Sequence, residues 1–252
     1  MKSHMQMPKC VLKQFTIKEG TLKNKLYLYD FNTKDFRVST PDGVNTCEGG
    51  YRDEVENELS GKIESPLGRL IAFVKSEEFE KQHFSLSKNL NEAIYNYIYA
   101  LIARSPQMLQ QVKEQSIFSD LYTEQDFRSL TVLMGLITAN EENLFKKYTP
   151  TFFINNSNEP FILPLCGAYD MQKSNGEQLI QLPITEKVAI RMIDNRFLNN
   201  YINDSKLVRL SSSNDKVIQQ FNHIAYLVQQ RKGNGVLIAS NKSALENAMN
   251  YQ

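Results

Sequence analysis

Histidine is scarce in this chain and never spaced for a metal site. His4, His83 and His223 are its three copies, and none has the His-Glu-x-x-His or Cys-x-x-Cys company that a transition-metal site requires. The spacing therefore assigns no metal, although a carboxylate-only magnesium site stays open because distant carboxylates converge only in three dimensions. Glycine-rich phosphate loops are also missing. The 11 glycines form no Walker loop, no Gly-x-Gly-x-x-Gly after a strand and no Gly-x-Ser-x-Gly elbow. No cofactor is assigned on this evidence. Three cysteines, Cys10, Cys47 and Cys166, are too few and too far apart for a disulfide framework, which points to a reducing, cytoplasmic compartment. No apolar core follows Met1-Lys2-Ser3-His4, so a secretory signal is not expected. The longest nearly apolar run, Leu130 to Ala139, is broken by Thr131, Gly135 and Thr138 and is too short to span a bilayer. Finally there is no basic excess. With 29 basic and 28 acidic side chains the formal charge is +1, whereas duplex-binding proteins usually carry a strong positive surplus.

What is present is an ordinary globular composition, 41% hydrophobic and 23% charged over 252 residues, enough for a real core. Lys9 to Phe15 suits one or two helical turns. Leu26–Tyr29 and Phe36–Ser39 flank a polar loop and predict a β-hairpin, and Pro41-Asp42-Gly43 predicts a turn. From Tyr51 to about Lys75 the apolar residues Val55, Leu59, Ile63, Leu67, Leu70, Ile71 and Val74 keep helical spacing. Pro66 falls inside that run, so either Ser65 caps a new helix or one helix is kinked there. The acidic residues near Tyr51 (Asp53, Glu54, Glu56 and Glu58) read as a solvated face. Helices are further predicted from about Lys88 to Ala103, with Ser87 or Asn89 as cap, and over Gln125–Tyr148, with Phe127, Leu130, Leu133, Leu136, Ile137, Leu144 and Phe145 inward. At Thr149-Pro150 the pattern turns extended. Strands are expected at Thr151–Ile154, Phe161–Leu163, Leu179–Ile184, Val188–Ile193 and Val236–Ala239. Helices are expected over about 214–230 and from Lys242 to Met249. The fold class is α+β: helix-rich, with an N-terminal β-hairpin and a second group of short antiparallel strands. The chain reads as a single domain, 1–252, with a helix-rich core about 51–148 and a mixed part about 149–252.

One residue breaks its own pattern. Leu90, Ala93, Ile94, Tyr97, Ile98, Leu101 and Ile102 form an apolar stripe, and seven residues beyond Tyr97 stands Arg104. A guanidinium there keeps its charge and needs acceptors if buried. Glu64, on the edge of the preceding apolar face, can accept its fork. That pairing reads either as a structural ion pair between helices or as the lining of a cleft. Arg104, just before Ser105-Pro106, could equally meet the last carbonyls of its helix. Asn158, in the loop before Pro160, suits Asx-turn chemistry. Asn222, beside Phe221, is a polar amide near a core, a position that usually satisfies backbone groups.

These motifs occur in a recognisable order. Pro8-Lys9-Cys10-Val11-Leu12-Lys13-Gln14-Phe15 fits a Pro-x-x-x-Leu-x-x-Phe signature. It is followed by Leu26-Tyr27-Leu28-Tyr29-Asp30, Ile63-Glu64-Ser65, Arg104-Ser105-Pro106, Ser157-Asn158-Glu159-Pro160, Leu182-Pro183-Ile184 and Asn222. In that order they resemble the bacterial domain-of-unknown-function family 4238, over most of the chain. The family carries a histidine three residues before the first proline, where Met5 stands here with His4 displaced by one. It carries an aspartate where this chain has Asn158. The resemblance implies a shared fold and no defined activity.

Two functions are compatible with these residues. In one, Glu64, Arg104, Asn158 and Asn222, with His4, form a polar pocket for a small anionic or phosphorylated ligand. Glu64, Arg104 and His4 are then the catalytic candidates for a hydrolysis, with Glu64 as general base, and Arg104, Asn158 and Asn222 the ligand-binding ones. In the other, the chain is a non-catalytic interaction module that contacts nucleic acid or protein through its lysine-rich start and exposed tyrosines. No membrane contact is expected, and no oligomeric state is assigned.

Overall fold

The structure is a computed structural model that describes residues 2–44, 46–80, 87–116, 121–141, 147–172, 178–203, 206–207 and 210–251. Short pieces come first: β1 (Lys2–His4), α1 (Lys9–Leu12), β2 (Leu26–Asp30), β3 (Asp35–Ser39) and β4 (Thr46–Glu48). Helices follow: α2 (Asp53–Leu59), α3 (Ser65–Phe73), α4 (Glu77–Glu80), α5 (Lys88–Ala103), α6 (Pro106–Gln115) and α7 (Glu124–Glu141). The extended region comprises β5 (Tyr148–Asn155), β6 (Leu163–Pro164), β7 (Tyr169–Gln172), β8 (Gln178–Pro183) and β9 (Val188–Asp194). It continues through β10 (Ile202–Asn203), β11 (Lys206–Leu207) and β12 (Leu210–Ser212). The chain ends with α8 (Asp215–Arg231), β13 (Val236–Ala239) and α9 (Lys242–Met249). This is an α+β fold.

Polar caps fix the helix starts. The Ser87 hydroxyl accepts from the Leu90 N–H and the Ser105 hydroxyl from the Met108 N–H, which opens α5 and α6. Asn214 and Asn241 do the same for α8 and α9. Each such cap is worth about 1 kcal/mol. Pro106 follows Ser105 at the first helical position, where its missing N–H costs nothing.

The chain divides into two compact units. One is formed by residues 1–10 and 45–145, the other by residues 11–44 and 146–252. The first is helical around α5, with β1 and β4 paired antiparallel at its side. The second carries both larger sheets. One has the order β3-β2-β13-β6, all antiparallel, and the other the order β12-β5-β9-β8-β7. The predicted hairpin is present as β2–β3 and is extended by the late strand β13. The β12–β5 pair is parallel, a departure from the antiparallel expectation. Every residue of β9 is buried, as the central strand of a sheet with both neighbours paired should be. Helices α8 and α9 pack on each other and supply Ala225, Ala244, Leu245 and Ala248 to a core shared with Tyr29 and Leu237.

In the first unit the run over Asp53–Phe73 is neither of the two simple options at Pro66. Between α2 and α3 the residues Ser60–Glu64 form a π turn in which the Ser65 N–H bonds the Ser60 carbonyl. Pro66 has no N–H to donate, and a widened turn absorbs the missing bond without ending the helix. Ser65 is itself helical, the first residue of α3, and no side-chain cap opens that helix. Two inward assignments are corrected. On α7 Leu130, Leu133 and Met134 face solvent, while Phe127, Thr131, Val132 and Leu136 are buried. On α5 Ile102 is exposed, whereas Tyr95, Tyr99, Ala100 and Ala103 join the buried set. The expected inward side chains of Ile137, Leu144 and Phe145 lie outside the described residues, and Tyr148 already belongs to β5.

The reason for the rotated face of α7 is Gly135. A Cβ built there would lie 2.5 Å from the Cβ of Ala103, so the two helices meet through small residues, and Leu130 and Leu133 turn outward. Gly135→Val should therefore destabilise the protein by about 2 kcal/mol or more through overpacking, read from the urea midpoint. An unchanged midpoint would show that the close approach is not required.

Candidate functional site

Arg104 ends α5 as its C-cap, with its N–H bonded to the Ala100 carbonyl. Its side chain is only 1% exposed. What surrounds it does not use it well. Nη2 lies 4.0 Å from Glu64 Oε1, the outer limit of an ion pair. Nη1 donates to the Gln6 carbonyl at 3.5 Å, longer than an ordinary bond of this kind. Nε is buried and has no hydrogen-bond partner. The guanidinium also stands 5.8 Å from the centre of the Tyr51 ring, a cation–π distance. A charge taken out of water normally recovers its hydration from close acceptors; here the acceptors are few and distant.

The surroundings of Arg104 are built locally. Glu64 is the last residue of the π turn, and the wider turn displaces it from regular helical phase. Tyr51 is buried, and its hydroxyl donates to the Met5 carbonyl at 2.9 Å. Gln125 of α7 donates to the Tyr51 carbonyl, and the Ser129 hydroxyl accepts from the Arg52 N–H. Gly50 lets residues 3–5 come close: a Cβ there would meet Met5 Sδ at 2.6 Å and Ser3 Cβ at 2.8 Å. Tyr97, on the α5 stripe, donates its hydroxyl to Met7 Sδ. Burial pushes the Tyr51 phenol above its ordinary value. The Arg104 charge pulls it back, the Glu56 charge adds to the rise and Arg128 opposes it.

Sequence reasoning named Glu64 and Arg104, and the structure brings these two together. It did not find Tyr51 or the Met5 and Gln6 carbonyls, which carry no sequence signal. Glu56 is a correction. It was read as part of a solvated face, yet its Oε1 is buried without a hydrogen-bond partner. Glu56 is the fourth residue of α2, and its charge is one of those that raise the Tyr51 phenol. His4 lies in β1, paired with Thr46, and its side chain is outside the described residues.

Asn158 and Asn222 belong to the second unit. Asn222 is fully buried and both ends of its amide are engaged: Oδ1 accepts from the Ile162 N–H and Nδ2 donates to the Pro160 carbonyl. Asn158 is exposed, and its backbone N–H donates to Asp215. The Asx chemistry of the loop belongs instead to Asn155. Its Oδ1 accepts from the Ser157 N–H and hydroxyl, and its Nδ2 donates to the Glu159 and Glu186 carbonyls. Beside it Glu159 is gripped by Asn247. Burial pushes the Glu159 carboxyl up, the Asn247 bond opposes this, the Asp215 charge adds to it and Gln219 opposes it. The Asp215 carboxyl is held below its usual range, first by the Glu159 N–H and further by the Asn158 N–H.

Among the described residues no three His, Cys, Asp or Glu side chains converge as a metal ion would need. No helix among them is long and apolar enough to cross a membrane. Compared with known proteins, the chain matches no protein-family model, no curated protein and no solved structure.

Two outcomes follow for the second unit. Asn222→Ala leaves a buried N–H and a buried carbonyl without partners and should cost about 2–4 kcal/mol in denaturant unfolding; a loss within experimental error would refute the bridging role. Glu159→Gln keeps an acceptor for Asn247 while removing a half-buried charge. A raised folded-state value means that this carboxyl favours the fold below its unfolded pKa and loses that contribution as pH rises. The variant should thus melt above the parent at pH 7, and the gap should close near pH 4. A variant that melts lower at pH 7 would overturn this.

Proposed function

We propose that the chain binds a small anionic or phosphorylated ligand through Arg104, with Glu64 at its side. The observation that carries this reading is the Nε–H of Arg104, which lies in a side chain 1% exposed and has no acceptor. An oxyanion placed there would take two parallel N–H bonds from the fork, the geometry that distinguishes arginine from lysine. It would replace the long Gln6 contact and neutralise a charge that the fold leaves underpaired. Glu64 Oε1, 4.0 Å from Nη2, is then the general base for a water that attacks the bound group, so hydrolysis is the reaction class proposed. Membership of family 4238 is proposed on the motif order, of which Ile63-Glu64-Ser65 and Arg104-Ser105-Pro106 supply this site. A reducing, cytoplasmic setting is proposed on the three thiols.

The purely structural alternative is an ion pair that pins the π turn to α5, and the two differ in response to added anion. Ligand binding to the folded state stabilises it by RT ln(1 + [L]/Kd), about 2.7 kcal/mol at a hundredfold excess over Kd. Inorganic phosphate at constant ionic strength should raise the melting temperature of the parent. Arg104→Gln should fold, and its melting temperature should not move with phosphate. If phosphate leaves the parent unmoved while Arg104→Gln merely melts lower, the guanidinium is structural.

A further inference from the structure

A guanidinium as enclosed as that of Arg104 takes a ligand only if a neighbour gives way, and its contacts single out which one. Glu64 ends the π turn that runs into α3, and α3 packs on α5. Tyr51 is buried ahead of α2, and Gln125 of α7 holds its carbonyl. Gln6 belongs to no helix or strand and lies where the chain bends between β1 and α1. The two ends of that stretch are tied down. Ser3 is buried in the β1–β4 pair, and Met7 is fully buried and accepts from the Tyr97 hydroxyl. Between these anchors Met5 and Gln6 are half-buried. Their adjacent carbonyls are held from the two sides of the site: Met5 by the Tyr51 hydroxyl at 2.9 Å, Gln6 by Arg104 Nη1 at 3.5 Å. The shorter grip is that of the tyrosine.

We propose that the Met5–Gln6 bend is an autoinhibitory strap: the Gln6 carbonyl occupies the Arg104 Nη1 donor that an anion would take, and the Tyr51 hydroxyl is the latch that keeps it there. This rests on the anion-binding reading of Arg104 and adds the regulation of that site. A neutral carbonyl at the long end of the hydrogen-bond range is a weak occupant, whereas an oxyanion makes a charge-assisted bond and displaces it. The strap also sets the affinity. A ligand that binds only the open form binds more weakly by the fraction of molecules that are open, so whatever loosens the latch tightens binding. Gly50 seats the strap from below, since a Cβ there would meet Met5 Sδ at 2.6 Å and Ser3 Cβ at 2.8 Å and lift both.

The test is calorimetric titration of the full chain with inorganic phosphate, in the parent and in Tyr51→Phe and Gly50→Ala. The phenylalanine keeps the ring that faces Arg104 and removes only the donated bond. Both variants should melt lower than the parent and yet bind phosphate more tightly. For Tyr51→Phe the gain should be about three- to tenfold, the range that one net hydrogen bond supplies. Lower stability with higher affinity is a pairing that damage to a binding site does not produce. In the parent, phosphate should also move the methyl carbon-13 resonance of Met5, assigned through Met5→Leu, along the binding curve, and leave that of the anchored Met7 in place. If phosphate binds the parent and both variants bind it equally or more weakly, the strap is overturned and the anion site stands. A Met5 methyl that stays still while phosphate binds the parent overturns the strap as well, and this decides the matter even if neither variant folds. If phosphate binds neither the parent nor the variants, the anion site falls and the strap with it.

Discussion

A guanidinium removed from water and left short of acceptors is the constraint around which the first unit is arranged. The Arg104 side chain is 1% exposed, and its nearest carboxylate is 4.0 Å away. Removing such a charge from water costs several kcal/mol after relaxation, and good geometry is needed to recover it. The fold recovers part through the Gln6 carbonyl, Glu64 and the Tyr51 ring.

Everything that shapes the site is a local response to backbone chemistry. Pro66 cannot donate, and the π turn at Ser60–Glu64 that compensates for it carries Glu64 at its end. Gly50 has no Cβ, so the chain at Ser3 and Met5 approaches, and the Met5 carbonyl then pins the Tyr51 hydroxyl. Gln125 and Ser129 of α7 hold the Tyr51–Arg52 backbone from the other side. The close contact between Gly135 and Ala103 sets how near α7 can come to α5. In the second unit the same kind of economy is seen at Asn155 and Asn222, whose amides stand in for backbone partners that a turning loop lacks.

The elements were legible where periodicity or punctuation was strong. Lys88–Ala103 and Val236–Ala239 fall where the apolar spacing put them, with Ser87 the one of the two candidate caps that opens the helix. Arg104 was legible as a break in an apolar stripe. The orientation of α7 was not: Leu130 and Leu133 look like core by type, and only the contact of Gly135 with Ala103, distant in sequence, turns them outward. The short strands β1 and β4 have no pattern of their own and exist by pairing with each other. At the site, Glu64 was visible from its place on a helix edge. Tyr51 and the carbonyls of Met5 and Gln6 were not, because backbone acceptors are not written in side-chain identity. Asn155, the last residue of β5, and Asn158 lie in one polar run of the sequence, and only the hydrogen bonds tell which amide turns inward.

The most direct measurement is the Nε–H resonance of Arg104 in a nitrogen-15 spectrum, followed as inorganic phosphate is added at fixed ionic strength. An acceptor arriving at an open donor should move this resonance downfield along a saturable curve and slow its exchange with water. A resonance that neither moves nor gains protection, in a chain that remains folded, would contradict the claim that this arginine awaits an anion.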